Sequence, residues 1–383
     1  MITHPAALLL ALACVAAGAA AFRVKYLPVP LWCYFIPTAL STAGVLPSES
    51  PLYGEMSRTL LPACLTLLLI GTDLPALAAL GPRALIAMAA GALGIFAGGL
   101  ATYPLAAARF PDLWKGWGCL AASWTGGSAN MISVKEILGT PEELFSNLII
   151  MDAMVAYTWM AFLIYISRYQ ETLDRYLKAR PLEHVPVSEG RPAGTPGSRR
   201  GGVPAYAGLA LGSLVIGRFF WTASGSLPEF EPAVNRFTWT VILATAVPLL
   251  LSLTPARKLD GLGAGRTGNF LLCLLLTSIG ARADLSALLH SPAFLALGFV
   301  WVAAHGIVLA AAGRIFRIPS AALAAASQAN VGGPVSAPIV ASVYDPRLAP
   351  LGLLLAILGG ICGTYAGLIF SEICRASGNL IKF

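Results

Sequence analysis

Two polar, glycine-rich passages interrupt a chain that is otherwise apolar almost from end to end. The first reads Ser123-Trp124-Thr125-Gly126-Gly127-Ser128-Ala129-Asn130. The second reads Ser327-Gln328-Ala329-Asn330-Val331-Gly332-Gly333-Pro334-Val335-Ser336. Placing Gly126-Gly127 over Gly332-Gly333 puts Asn130 on Ser336 and Val134 on Val340. A helix broken at membrane depth is tolerated only where the freed backbone groups are buried in protein or line a watery cavity. Matching breaks in two halves of a chain point to the binding site of a transporter.

Of 383 residues, 57% are hydrophobic and 11% are charged, where a soluble domain carries roughly 25% charge. Long apolar stretches recur along the chain, and short alternating segments of the β-barrel kind are absent from the sequence. The expected class is an all-α polytopic membrane protein. The net charge of +7 is spread over loops and helix ends. It reads as membrane topology, with the lipid bilayer as a partner and nucleic acid excluded. The seven cysteines are scattered, form no C-x-x-C and read as buried thiols. The apolar run Ala6–Phe22 lacks a basic n-region, so it reads as the first membrane helix and not as a cleaved signal.

Six apolar segments lie near 6–22, 28–46, 58–80, 83–109, 117–138 and 143–167. Six more lie near 203–222, 236–254, 264–289, 292–313, 319–343 and 347–371. This divides the chain into a first repeat (1–167), a polar inter-repeat loop (168–202) and a second repeat (203–383). The loop holds Arg168, Arg175, Lys178, Arg180, Arg191, Arg199 and Arg200 and becomes rich in Gly and Pro. The halves also share Leu-rich runs that end in Asp73 and Asp284. If each Gly-Gly segment is a re-entrant or broken helix, about five crossings remain per half, and the two repeats are inverted. The basic loop reads as cytoplasmic. Arg23 and Lys25 agree with hairpins, whereas Arg109 and Lys115 do not, which leaves the topology of the termini open.

The candidate binding residues are Thr125, Gly126, Gly127, Ser128, Asn130, Asp152, Ser327, Gln328, Asn330, Gly332, Gly333 and Ser336. Freed N–H groups and half-helix N-termini suit a carboxylate, and freed carbonyls suit Na⁺. The neutral side chains take an anion or zwitterion at lower desolvation cost than fixed charges would. Asp152 lies in an apolar helix, which makes it a functional candidate by default. Together with Asn130 and Asn330 it forms a possible Na⁺ site. Packing of small residues, and a carboxylate near the membrane surface, are the plainer readings. Thr72-Asp73 reads as an N-cap restarting a broken third helix. Arg282 reads as a local partner of Asp284, and Lys135-Glu136 as a return to the interface. His305 reads as a proton relay or as a histidine bonded to a carbonyl. Trp32, Tyr34, Tyr53, Trp114, Trp117, Trp221, Trp239 and Tyr344 read as an aromatic belt. Trp124 reads as a cavity wall or as packing. No nucleophile elbow, metalloprotease motif or phosphate loop is present, so no enzyme and no cofactor beyond a coupling ion, Na⁺ or H⁺, is expected.

The two Gly-Gly passages, with Asp152 after the first, resemble the uncharacterised YjcL-like family of bacterial and plastid membrane proteins over nearly the whole chain. More distantly, the arrangement is similar to sodium:glutamate symporters and 2-hydroxycarboxylate transporters. That distant likeness implies an elevator-type secondary transporter of the inner (cytoplasmic) membrane, usually a homodimer. Its mobile part would hold roughly 58–167 and 264–371, with the remainder as scaffold. It further implies a symporter for a small organic anion or amino-acid-like solute. Neither passage carries an Arg, which disfavours a dicarboxylate. The alternatives are a cation/proton antiporter and a non-transporting scaffold or enzyme of lipid-linked substrates.

Overall fold

A computed structural model describes residues 4–21, 29–108, 110, 112–182, 202–229, 235–282 and 291–381. Arg23, Lys25, Arg109, Arg191, Arg199, Arg200 and Asp284 lie outside the described residues, and with them the charge readings that they carried. The described chain is helical throughout, with no strand among these residues. Five helices are long and apolar enough to span a bilayer: Pro82–Ala107, Glu142–Leu177, Val203–Ser224, Phe294–Phe316 and Ala349–Gly378. A sixth arises if Arg236–Leu251 and Pro255–Leu262, bent by 102°, count as one broken span. The chain is therefore a multi-pass helical membrane protein.

The helices follow the apolar segments closely. They are α1 (Pro5–Ala21), α2 (Val29–Thr42), α3 (Pro51–Leu69), α4 (Leu74–Ala78), α5 (Pro82–Ala107), α6 (Leu113–Gly126), α7 (Ser128–Leu138) and α8 (Glu142–Ile166). After them come α9 (Gln170–Leu177), α10 (Val203–Ser224), α11 (Arg236–Leu251), α12 (Ala264–Gly280) and α13 (Ser291–Phe316). The last three are α14 (Ser320–Val331), α15 (Gly333–Tyr344) and α16 (Ala349–Ile381). Two starts are set by local chemistry. Ser50 Oγ accepts from the Leu52 N–H (3.3 Å) ahead of Pro51, and the Asn235 side chain accepts from Thr238 N–H (2.9 Å) in a capping box.

The structure revises several expectations. The third segment begins at Pro51, not near 58, and ends before Gly71, so α4 is a separate short helix. The span 168–202 is not simply a loop, because Gln170–Leu177 forms α9 with Glu171 in its first turn and Arg175 in its last. Tyr34, Tyr53 and Trp117 do not belong to an aromatic belt. They are fully buried, with Tyr34 Oη 2.7 Å from Ser146 Oγ and Tyr53 Oη donating to the Pro47 carbonyl (2.6 Å). Asp73 is ion-paired with Arg257. Arg282 pairs with Glu142 (3.1 Å) and Glu136 (4.0 Å). Lys135 is buried, not surface-facing.

The chain forms two compact units, each drawing on both halves of the sequence. One holds Met1–Asp73, Glu136–Ile150 and Pro196–Ser291. The other holds Leu74–Lys135, Met151–Thr195 and Pro292–Phe383. In the first unit, α3 is the centre against which α10, α11 and α12 pack. Gly217 brings α10 to the Thr59 carbonyl, and Gly268 brings α12 to the Cys64 carbonyl, each with a Cβ position 3.1 Å from that oxygen.

In the second unit, α6 lies along α16 through a seam of small residues. Gly118, Ala122 and Gly126 recur every four residues on α6, and Gly359, Gly363, Gly367 and Ser371 do so on α16. A Cβ at Gly367 would sit 2.5 Å from Ala122 Cβ and 2.7 Å from the Gly118 carbonyl. One at Gly118 would sit 2.6 Å from Ser371 Cβ. In a bilayer, where apolar burial does not separate helix from lipid, such close backbone approach is what holds helices together. A parallel stripe on α5 packs on α13, with Gly94 against His305, and Gly98 and Gly99 against Trp301. Trp301 meets Trp117 at 5.4 Å and Trp124 at 5.2 Å between ring centroids, with Phe370 at 5.9 Å.

Filling the seam is therefore expected to be costly. Gly367→Leu should lower the melting temperature of the detergent-purified protein, with a loss of about 1–3 kcal/mol typical of overpacking. Leu105→Ile, at an exposed position, should leave it unchanged, and fluorescence-monitored thermal unfolding of both variants checks the contrast.

Candidate functional site

All twelve candidate residues belong to the second unit. Helix α6 stops at Gly126 and α7 starts at Ser128, while α14 stops at Val331 and α15 starts at Gly333. Gly127 holds φ +90° and Gly333 φ +75°, both in the region that disfavours any side chain. The two breaks meet: a Cβ built on Gly333 would lie 4.0 Å from Gly127 Cα. Ser123–Gly126 and Gln328–Val331 are buried on one side of this meeting point, whereas Gly127, Ser128, Ala129 and Gly332 are partly accessible. The half-helices α7 and α15 both begin here, so two positive dipole ends start from adjoining residues.

Asn130 closes the first break. Its Nδ2 donates to the Gly126 carbonyl (2.8 Å) and the Gly360 carbonyl (3.2 Å). Its Oδ1 accepts from the Thr364 N–H (3.0 Å) and the Thr364 hydroxyl (2.6 Å). Gly360 C=O and Thr364 N–H are the pair that a regular helix joins to each other. The Asn130 amide bridges them, so three of its four hydrogen bonds tie α7 to α16 and the fourth ties it to the end of α6.

Gln328 closes the second break differently. Its Nε2 donates to Ser336 Oγ (2.9 Å), across the break from α14 to α15. Gly332 sits against both groups, and its N–H returns to the Gln328 carbonyl (2.8 Å). The Gln328 Oε1 is buried and has no hydrogen-bond partner, and the same holds for Asn330 Oδ1 and Thr125 Oγ1. Asn330 Nδ2 donates to the Ala326 carbonyl (2.9 Å) and lies 3.3 Å from Met88 Sδ. Three neutral oxygens flanking the two breaks thus lack the partner that buried polar groups ordinarily have.

Asp152 lies on α8, partly buried, and its Oδ1 accepts from Ser123 Oγ (2.9 Å), one turn before the first break. Among the described residues no three of His, Cys, Asp and Glu come together, so a cation here would depend on neutral oxygens and on this single carboxylate.

Ser327 takes part in a directed chain. Gly91 O can only accept, so His305 Nδ1 carries the proton that bonds it (2.9 Å). With the imidazole neutral, His305 Nε2 accepts from Ser327 Oγ (2.9 Å), whose oxygen accepts from Trp159 Nε1 (2.8 Å). This line joins α5, α13, α14 and α8 and places His305 as a carbonyl-bonded side chain. Trp124 is fully buried in the tryptophan cluster and does not face an open cavity. The residues that sequence reasoning missed are the partners of these motifs: Gly360 and Thr364 on α16, and Gly91 and Met88 on α5.

The profile of the family described as "Protein of unknown function (DUF819)" matches residues 6–377. The chain belongs to this family. It is also similar to the uncharacterized membrane protein YjcL of Bacillus subtilis (strain 168), at 27% identity over 343 residues, 85% of each chain.

The Asn130 bridge yields an ordering that a mere space-filling role would not. Asn130→Ala lets Gly360 and Thr364 pair directly and leaves only the Gly126 carbonyl without its donor, at about 1–3 kcal/mol. Asn130→Asp instead sets a carboxylate against two carbonyl oxygens and should be the less stable of the two. Melting temperatures of the purified variants, in the order wild type, Ala, Asp, check this.

Proposed function

We propose that this protein is an ion-coupled secondary transporter working by alternating access, with its solute bound where the two helix breaks meet. The observation that carries the reading is the approach of Gly127 to Gly333, with α7 and α15 starting side by side among buried, unpartnered oxygens. A carboxylate suits the two half-helix starts. The oxygens of Thr125, Gln328 and Asn330 suit a cation or an N–H donor of the solute. The solute class is a small organic anion or an amino-acid-like molecule, and no chemical change is made to it.

In this reading the two halves are inverted repeats, each break being a re-entrant hairpin. The second unit is the moving part of an elevator, the protein is a homodimer, and it resides in the cytoplasmic membrane. The coupling ion is Na⁺ or H⁺, with Asp152 as its charged partner. Asn130 is a brace, since its amide is saturated by Gly126, Gly360 and Thr364. The position of Asp152 beside Ser123 also suits a cation/proton antiporter, which would move ions without any organic solute.

A thermal-shift screen of purified protein against organic acids and amino acids, with and without Na⁺ and at several pH values, comes first. A compound that raises the melting temperature should then be accumulated by proteoliposomes under a Na⁺ or proton gradient. Asp152→Asn should remove the dependence on the gradient while leaving the melting temperature within a few degrees of wild type. Ion exchange without any organic substrate would select the antiporter. A protein that no compound or ion affects would not be a coupled transporter.

A further inference from the structure

In the first unit three arginines gather at one end of the α3, α10 and α11 group. Arg58 on α3 and Arg218 on α10 share the carboxylate of Glu55, with Nη1 at 3.0 Å and 3.8 Å from its two oxygens. The second separation exceeds hydrogen-bonding distance. Arg236, at the start of α11, donates from Nε (3.1 Å) and Nη2 (2.9 Å) to the Trp221 carbonyl. The Trp221 ring joins the group: the Arg236 guanidinium carbon stands 4.3 Å from its centroid and that of Arg58 5.4 Å. Gly225 makes room for Arg236, since a Cβ there would lie 3.1 Å from the guanidinium carbon. Among the described residues, Glu55 is the one carboxylate paired with these arginines.

The setting says what would balance them. Leu211, Val215 and Phe219 recur every four residues on α10 and are 65%, 70% and 66% exposed, which in a spanning helix is a face turned to acyl chains. Arg218 stands directly on that face, with its side chain 60% exposed, about 9 Å from the helix end at 1.5 Å per residue. Arg58 and Glu55 are about half exposed beside it. A guanidinium fork matches a phosphate oxygen pair, and an aromatic ring at this level is the usual companion of the headgroup region.

We propose that Arg58, Arg218 and Arg236, braced by Trp221, bind the phosphodiester headgroup of an anionic phospholipid whose chains run along the Leu211–Val215–Phe219 face of α10. The lipid is the committed occupant because the charge cluster continues into an acyl-facing stripe, which a free phosphate would not need. Basic pockets between membrane helices bind anionic headgroups on the same principle. The site lies in the other unit from the helix breaks and is independent of any transported solute.

The test is thermal unfolding of the full-length protein in mild detergent with added dioleoyl-phosphatidylglycerol, dioleoyl-phosphatidylcholine or sodium phosphate. Phosphatidylglycerol should raise the melting temperature by at least about 3 °C more than phosphatidylcholine. Arg58→Gln/Arg218→Gln should lose that difference, while Arg347→Gln, at the exposed pair with Asp345, should keep it. If the double variant fails to fold, the two single variants are compared, each losing part of the difference. Native mass spectrometry of the wild type adds an independent readout, with phosphatidylglycerol adducts surviving higher collision energy than phosphatidylcholine adducts. Equal effects of the two lipids, an undiminished preference in the arginine variants, or an equal shift from sodium phosphate would overturn the proposal.

Discussion

A bilayer offers no water to a broken helix, and every other feature of the second unit follows from meeting that condition. At the first break the side-chain amide of Asn130 stands in for a peptide group, joining Gly360 C=O to Thr364 N–H while also serving Gly126 C=O. Such a bridge needs the two backbones almost in contact. The recurrence of Gly118, Ala122 and Gly126 against Gly359, Gly363 and Gly367 provides this, since a Cβ at Gly359 would collide with the Thr125 carbonyl. The break, the amide and the glycine seam are therefore one device. Removing the amide leaves the buried Gly126 carbonyl without its donor, at about 1–3 kcal/mol.

The two breaks solve the same problem unequally. Asn130 uses every donor and acceptor it has, and Gln328 does not. Its Nε2 reaches Ser336, but its Oε1 is left buried without a partner. Structural amides in an apolar setting are ordinarily saturated. An unsaturated one beside a positive-φ glycine and a half-helix start is what a binding site needs, because its full stabilisation comes only with a bound group. This inequality shifts the expected contribution toward Gln328, Asn330 and Thr125, and toward bracing for Asn130, although the two motifs look alike in sequence.

Much of this was legible because the physics that shapes a membrane chain is written locally. Apolar runs mark helices, and Gly-Gly flanked by Ser and Asn marks a break. What failed to show was lateral. Tyr34, Tyr53 and Trp117 stand near segment ends, where belt residues also stand, and sequence position does not tell lipid from protein as a neighbour. Thr364 and Gly360 were hidden in a Leu-, Gly- and Ala-rich run, though the four-residue spacing of Gly359, Gly363 and Gly367 was a usable signal. Asp73 stands directly before α4, as its reading as a cap expects, and what did not show is that its charge is also met by Arg257 from a distant part of the chain.

A site that moves relative to a membrane has to move as a body, or the backbone groups at its breaks would be uncovered on the way. The chain from Trp159 through Ser327 and His305 to Gly91 ties α8, α14, α13 and α5 with hydrogen bonds whose donors all point the same way. The Asn130 bridge adds α7 and α16, and Ser123 with Asp152 joins α6 to α8. Both breaks are thus fastened to the helices around them by bonds made inside one unit. Asp152 is the exception: its carboxylate accepts from the Ser123 hydroxyl at the edge of this bonded body. A charge placed there can change its partner without loosening the brace, which is the condition a coupling group has to satisfy.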